Sequence, residues 1–289
     1  MPPWGRLGSS AGRFALSFTR PHCPPHCYAM FFMAAGNAAS NRSVKRNGNS
    51  CAVNCQMKTK YLQLDSIKIA YTEFGLGPNL ILLHGNSQNK GIFKRHQMHY
   101  FKNFHTYAID SRGHGQSISV DNKFSIKQYS EDIANFCGKM GITKTFVIGF
   151  SDGGNICLFL AQNYPEIFEK IIALSPNYLV SGTTDETLFF LNKMYKAILF
   201  MGKMRLLPKR TAMRWELMLN DIGITDEELK KINANILILY AEKDMIKEEH
   251  IVKLSELIKN CGIKKIRKTN HLNLYKNKEA IKEVIKYII

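Results

Sequence analysis

The chain has 289 residues, is 45% hydrophobic, and sets 40 Lys and Arg against 23 Asp and Glu for a formal net charge of +17. That apolar content can bury a sizeable core, and the lack of any run of 18 or more apolar residues argues against a membrane span. No basic stripe with interleaved aromatics and no known nucleic-acid module occurs, so nucleic acid is not an expected partner and the lysines read as a solvated surface.

Residues 1–56 carry six Arg or Lys and no Asp or Glu. They lack sustained periodicity and are expected to be a disordered extension ahead of a folded domain at 57–289, for which Met57 is a natural start. An acid-free segment with Arg and Ser also fits an organelle transit peptide, or an upstream region wrongly joined to the gene. Four of the seven cysteines lie here, Cys23, Cys27, Cys51 and Cys55, beside His22 and His26. Their C-x₃-C spacing without local structure argues against zinc, so no metal is expected. Nothing resembles a disulfide framework, which makes a reducing compartment, the cytoplasm, the default location.

Tyr61 to Phe74 alternates and reads as a hairpin turning at Asp65-Ser66. Asn79-Leu80-Ile81-Leu82-Leu83 is a continuous apolar run, the mark of a strand buried on both faces, and His84-Gly85-Asn86-Ser87 follows it. A strand near Thr106–Ile109 leads into Asp110-Ser111-Arg112-Gly113-His114-Gly115-Gln116-Ser117. Ser125 with Gln128 three residues on has a capping-box pattern, and Ile126, Tyr129, Ile133 and Phe136 keep helical spacing behind it. Cys137 falls on that helix and reads as a small core residue.

Thr145-Phe146-Val147-Ile148 then runs into Gly149-Phe150-Ser151-Asp152-Gly153, and a helical run follows from Asn155. Strand, G-x-S-x-G, helix is the context of a nucleophile elbow, in which a strained turn lifts the serine clear of the sheet. A serine needs a base, and the base needs an orienting group. On such a fold the chain order is Ser, then Asp or Glu, then His. The apolar strand Ile236–Tyr240 ends at Ala241-Glu242-Lys243-Asp244, which makes Asp244 the candidate acid and Glu242 the reserve. A helix is expected from Glu248 to about Asn260, closed by Gly262 with Cys261 beside it. A short strand at about Lys264–Lys268 leads to His271, the candidate base, and a last helix places Ile281, Val284, Ile285 and Ile288 on one face. The oxyanion donors should be the backbone N–H groups of Asn86 and Asp152, with His84, Gly85, Gly149 and Gly153 as supporting loop residues.

Strands alternating with helices give an α/β fold: a mostly parallel sheet of about eight strands with helices on both faces. An insertion of about sixty residues separates Leu174 from Ile236. Its apolar residues predict two or three amphipathic helices forming a small cap, at about 181–231. Lys193, Lys196, Lys203, Arg205, Lys209, Arg210 and Arg214 make its polar face.

From about Tyr61 to Ile289 these landmarks resemble the α/β-hydrolase superfamily, and in particular small hydrolases with a compact helical cap, which include esterases, lactonases and carbon–carbon bond hydrolases. The resemblance gives the D-x-R-G-x-G-x-S turn, with Arg112 and His114, a structural role. Ala241 and Asn270 stand where that family usually carries glycine. Related dehalogenases and epoxide hydrolases place Asp at the elbow centre, where this chain has Ser151. The expected function is therefore a serine hydrolase acting on an ester-like bond of a small or medium substrate, with no cofactor. A carbon–carbon hydrolase, an acyltransferase or a non-catalytic ligand-binding protein on the same fold are the alternatives. Oligomeric state is not legible.

Overall fold

The computed structural model describes residues 57–121 and 123–289. The expected extension at 1–56, with its cysteines and histidines, lies outside the described residues.

The sheet has nine strands: β1 (Lys60–Gln63), β2 (Ile67–Phe74), β3 (Asn79–Leu83), β4 (His105–Ile109), β5 (Ile118–Ser119), β6 (Thr145–Phe150), β7 (Phe168–Leu174), β8 (Asn235–Lys243) and β9 (Cys261–Asn270). Their spatial order is β1-β2-β4-β3-β6-β7-β8-β9, with β5 on β2. Every neighbour pair from β4 to β9 is parallel, and every pair involving β2 is antiparallel. The strand beyond the expected eight is β5, two residues long and too short to show alternation.

Helices α1 (Ile126–Lys139), α2 (Asp152–Asn163), α6 (Glu248–Leu257) and α7 (Lys278–Ile288) cover the sheet, while α3 (Asp185–Lys203), α4 (Lys209–Leu217) and α5 (Asp226–Lys230) lie between β7 and β8. Period-two alternation divides the core. Ile81 and Leu83 join α1, α2 and α6 on one face, whereas Leu80 and Leu82 join Phe93, Phe101 and Val284 of α7 on the other. Four successive apolar residues, Leu80–Leu83, thus serve two cores.

Three local expectations change. Helix α6 ends at Leu257, because Ile258 turns to extended backbone (φ −99°, ψ 118°). Cys261 and Gly262 pair with Ile236 and Leu237 at the start of β9 rather than closing a helix. Strand β9 accordingly outruns Lys264–Lys268, its length being set by its neighbour β8. At Ser125 only the forward half of the capping box forms, Gln128 N–H donating to Oγ at 3.0 Å. The reciprocal box is Thr225 with Glu228, at the start of α5.

The turn after β4 is a buried polar knot. Asp110 accepts from the Lys90 backbone N–H (2.6 Å), Lys90 Nζ (2.7 Å) and Gln116 N–H (2.8 Å). Arg112, almost wholly buried, forks onto Asp132 of α1 through Nε (2.9 Å) and Nη2 (2.7 Å), and also reaches Ser66 and Asp121. Burial pushes the Asp132 carboxyl up, and the Arg112 fork opposes that. Replacing Arg112 by Leu strands a buried carboxylate, so the variant should lose about 3–5 kcal/mol of stability in urea unfolding. A loss below about 1 kcal/mol would mean that Asp132 finds water instead.

Candidate active site

The elbow follows from contacts at a crowded crossing. Ser151 joins β6 to α2 with φ 54° and ψ −117°, a conformation that L-residues rarely hold without support. A Cβ on Gly149 would lie 2.0 Å from the Gly153 carbonyl oxygen, and one on Gly153 would lie 2.3 Å from that of Leu83. Both flanking glycines are therefore required by close backbone approach. A Cβ on Gly85 would come within 3.0 Å of Ser151 Cβ, so the loop after β3 presses directly against the serine.

The structure brings Ser151, His271 and Asp244 together across 120 residues of sequence. His271 Nε2 lies 3.1 Å from Ser151 Oγ, and His271 Nδ1 lies 2.6 Å from Asp244 Oδ1. Asp244 Oδ2 accepts from Ser175 Oγ (2.5 Å) and the Ala241 N–H (2.8 Å), while the Ile246 N–H reaches Oδ1 at 3.2 Å. Burial alone would push the Asp244 carboxyl up, but His271, Ser175 and the Ala241 N–H together hold it below its ordinary value. Glu242 is occupied elsewhere, accepting from the Lys268 N–H at 2.8 Å.

The two departures from the family's glycines have local explanations. Asn270 sits in extended backbone (φ −120°) and caps the short 3₁₀ helix His271–Lys276, its side chain accepting from the Asn273 N–H. Left-handed backbone falls instead at Lys268 (φ 52°). Ala241 contributes its N–H to Asp244, which any residue but proline can do.

Asp152 opens α2, so its N–H has no intrahelical acceptor. Its side chain was not singled out from the sequence. Asn86 Nδ2 donates both to Asp152 Oδ2 (2.9 Å) and to the Arg214 carbonyl oxygen (2.7 Å). Arg214 Nη1 in turn donates to the Gly113 carbonyl at 2.9 Å. Helix α4 is thereby tied to the loop after β3, to the elbow and to the turn after β4. His84 fastens the same loop from below. Its Nε2 accepts from the Ser111 N–H (3.0 Å), which leaves Nδ1 to donate to the Gly85 carbonyl (2.8 Å). Burial lowers the His84 pKa, as the neutral tautomer requires.

Burial also pushes the Asp152 carboxyl up to about 6, against the Asn86 hydrogen bond and the charge of His271, which pull it down. A carboxyl raised from 3.8 binds its proton more tightly folded than unfolded. Its favourable contribution is complete below about pH 4 and lost as pH rises through about 6. The ionised form then costs up to about 3 kcal/mol. Asp152→Asn should therefore be more stable than the parent at about pH 8 and show less advantage at about pH 4, read by urea unfolding at both. Equal differences at the two pH values would rule out a buried charge at Asp152.

The cleft at Ser151 is lined by Asp152 and His271 and roofed by Leu191, Leu217 and Met218 of the inserted segment. Its volume is about 40 Å³, room for only a few waters. A larger hollow of about 500 Å³ is bounded by Glu242, Lys243, Lys268 and Asn273 and contains none of Ser151, Asp244 and His271. Among the described residues, no group of three or more His, Cys, Asp or Glu could hold a metal ion.

A family model described as "alpha/beta hydrolase fold" matches residues 78–206, the stretch from the strand β3 region through the elbow into the inserted helices. That stretch, a little under half of the chain, is similar to the α/β-hydrolase family. Among curated proteins, 2-(acetamidomethylene)succinate hydrolase of Mesorhizobium japonicum is 25% identical over 116 residues, 40% of this chain and 42% of that relative. The matched segment thus spans less than half the length of that curated relative. Among solved structures, E-2-(acetamidomethylene)succinate hydrolase aligns with a TM-score of 0.66 at 18% identity, over 80% of this chain and 98% of that one. The enol-lactonase from Burkholderia xenovorans LB400 aligns with a TM-score of 0.65 at 15% identity, over 79% and 99%. These superpositions establish the α/β-hydrolase fold, and the proteins that carry it here are hydrolases by name.

Ser175 and Arg214 were missed from the sequence as site residues. Ser175 follows β7 with φ 50° in a stretch, Leu174-Ser175-Pro176, that carries no motif. Arg214 is one of seven cations between Thr187 and Trp215, and its own residue type does not set it apart from the others.

Proposed function

We propose that the protein is a serine hydrolase that cleaves an ester-like bond through an acyl-enzyme. The observation that carries this reading is the unbroken hydrogen-bonded line from Ser151 Oγ through the His271 ring to Asp244, with the serine held at an elbow.

Ser151 Oγ attacks the substrate carbonyl carbon while His271 Nε2 takes the hydroxyl proton. The backbone N–H groups of Asn86 and Asp152 receive the oxyanion. Asp244 fixes His271 with Nδ1 protonated and stabilises the imidazolium. His271 then protonates the departing alkoxide, deprotonates a water that attacks the acyl carbon, and returns that proton to Ser151. No cofactor enters these steps.

The test is hydrolysis of p-nitrophenyl esters from acetyl to lauroyl by the full chain, beside labelling by a fluorophosphonate. The small cleft predicts a short-acyl optimum, with longer chains requiring Leu191, Leu217 and Met218 to move aside. Folded protein that neither turns over nor labels would sink the reading in favour of a ligand-binding role. Labelling without ester turnover would instead move the same three residues to a carbon–carbon bond or to a non-water acceptor.

A further inference from the structure

Helix α3 is apolar on the wrong side for a solvated helix. It buries only Leu191 and Ile198. At 100° per residue, Phe189 and Phe200 lie roughly 180° around the axis from Ile198, and Phe190 and Met204 fall within about 100° of them. A surface helix ordinarily presents polar residues opposite its buried stripe. Here Phe189, Phe190, Leu199, Phe200, Met204 and Leu206 are between 39% and 74% exposed. Lys193 and Lys196 project from the same arc, and Arg205, Lys209 and Arg210 continue it. From Thr187 to Trp215 the chain has seven Lys or Arg and no Asp or Glu.

Large apolar surface rimmed by polar groups marks an interaction site. The partner must offer an apolar phase to the phenylalanine rings and negative charge beyond the first turn of α3, which carries Asp185 and Glu186. A lipid surface with anionic headgroups offers both, and a helix of 19 residues lays about 28 Å of length onto it. Among the described residues no helix is long and apolar enough to cross a membrane, so the contact is one of lying on the surface.

We propose that α3 and the loop leading to α4 form a docking face for an anionic lipid surface. The rings of Phe189, Phe190 and Phe200 enter the boundary between headgroups and acyl chains, and Lys193, Lys196 and Lys203 meet the phosphates. The proposal goes beyond the hydrolase reading and is independent of it, because docking is measured without turnover.

The test is flotation of the full chain with vesicles of phosphatidylcholine alone or with phosphatidylglycerol added. Two double variants accompany it, Phe189→Ser with Phe200→Ser, and Lys193→Glu with Lys196→Glu. Thermal unfolding checks that both remain folded, as fully surface-facing changes should. The parent should float only with the anionic vesicles, and added salt should release it. Each double variant should bind about tenfold more weakly or worse. Failure of the parent to bind anionic vesicles would overturn the proposal. So would undiminished binding by both variants, which would assign docking to another surface such as the basic residues 1–56. Binding of an acidic protein at this face with no vesicle binding would overturn it as well.

Discussion

Ser151→Ala should lower kcat on a p-nitrophenyl ester by about 10⁴- to 10⁶-fold while leaving KM within a few-fold. Among the described residues the Ser151 hydroxyl is the group held against the His271 ring, and its loss removes both the nucleophile and the covalent intermediate. His271→Ala should fall in the same range, since Ser151 Oγ has no other base within hydrogen-bond distance among the described residues. The double variant should be no slower than the worse single one, because the two groups act as a unit and their effects do not add. Steady-state rates with active-site titration would measure all three. A Ser151→Ala protein retaining more than about a hundredth of parental turnover would place the chemistry elsewhere, since even one oxyanion donor is worth about 10²–10³.

Asp244→Asn should cost on the order of 10⁴ in kcat with the fold intact. The reason lies in which oxygen does what. Oδ2 accepts two short bonds, from Ser175 and from the Ala241 N–H, whereas Oδ1 faces His271 Nδ1 and has only the longer 3.2 Å bond from the Ile246 N–H. An asparagine keeps its carbonyl oxygen toward the two donors and turns its NH₂ toward the ring. Nδ1 must then accept, Nε2 carries the proton, and His271 can no longer take one from Ser151. Ser175→Ala removes one of the donors that enforces this orientation and should soften the Asp244→Asn defect in the double variant. The parent carboxyl is held below its ordinary value, so its contribution to stability is present above about pH 4 and lost as pH falls through the folded pKa. Asp244→Asn should remove that acid-side loss. Wild-type turnover by Asp244→Asn would assign the orienting role to another group.

What could be read along the chain was whatever local geometry enforces. The G-x-S-x-G run announces its turn because Gly149 and Gly153 sit where a Cβ would collide with backbone. The apolar runs at Asn79–Leu83 and Ile236–Tyr240 announce buried strands because both of their faces meet core. His271 and Asp244 were legible through order, each following a strand that ends at the same edge of a parallel sheet. A boundary that depends on a neighbouring strand leaves no such local mark. The end of α6 and the start of β9 were misplaced because pairing with β8 recruits Cys261 and Gly262. The ninth strand, Ile118–Ser119, exists only through its pairing with β2.

The sequence by itself determined the α/β class, the elbow at Ser151 and the residue types available to serve it. Those features rest on backbone sterics and on hydrophobic period, which are local and repeat along the chain. Only the tertiary structure decided that Ser175 steadies Asp244, that Arg214 ties α4 to Asn86 and Gly113, and that α3 turns phenylalanines outward. Each of these depends on how distant segments pack, and a serine, an arginine or a phenylalanine carries no mark of its eventual neighbour. A hydrogen bond between residues 128 positions apart, as between Asn86 and Arg214, is set by the closing of the fold and not by either residue's surroundings in the chain.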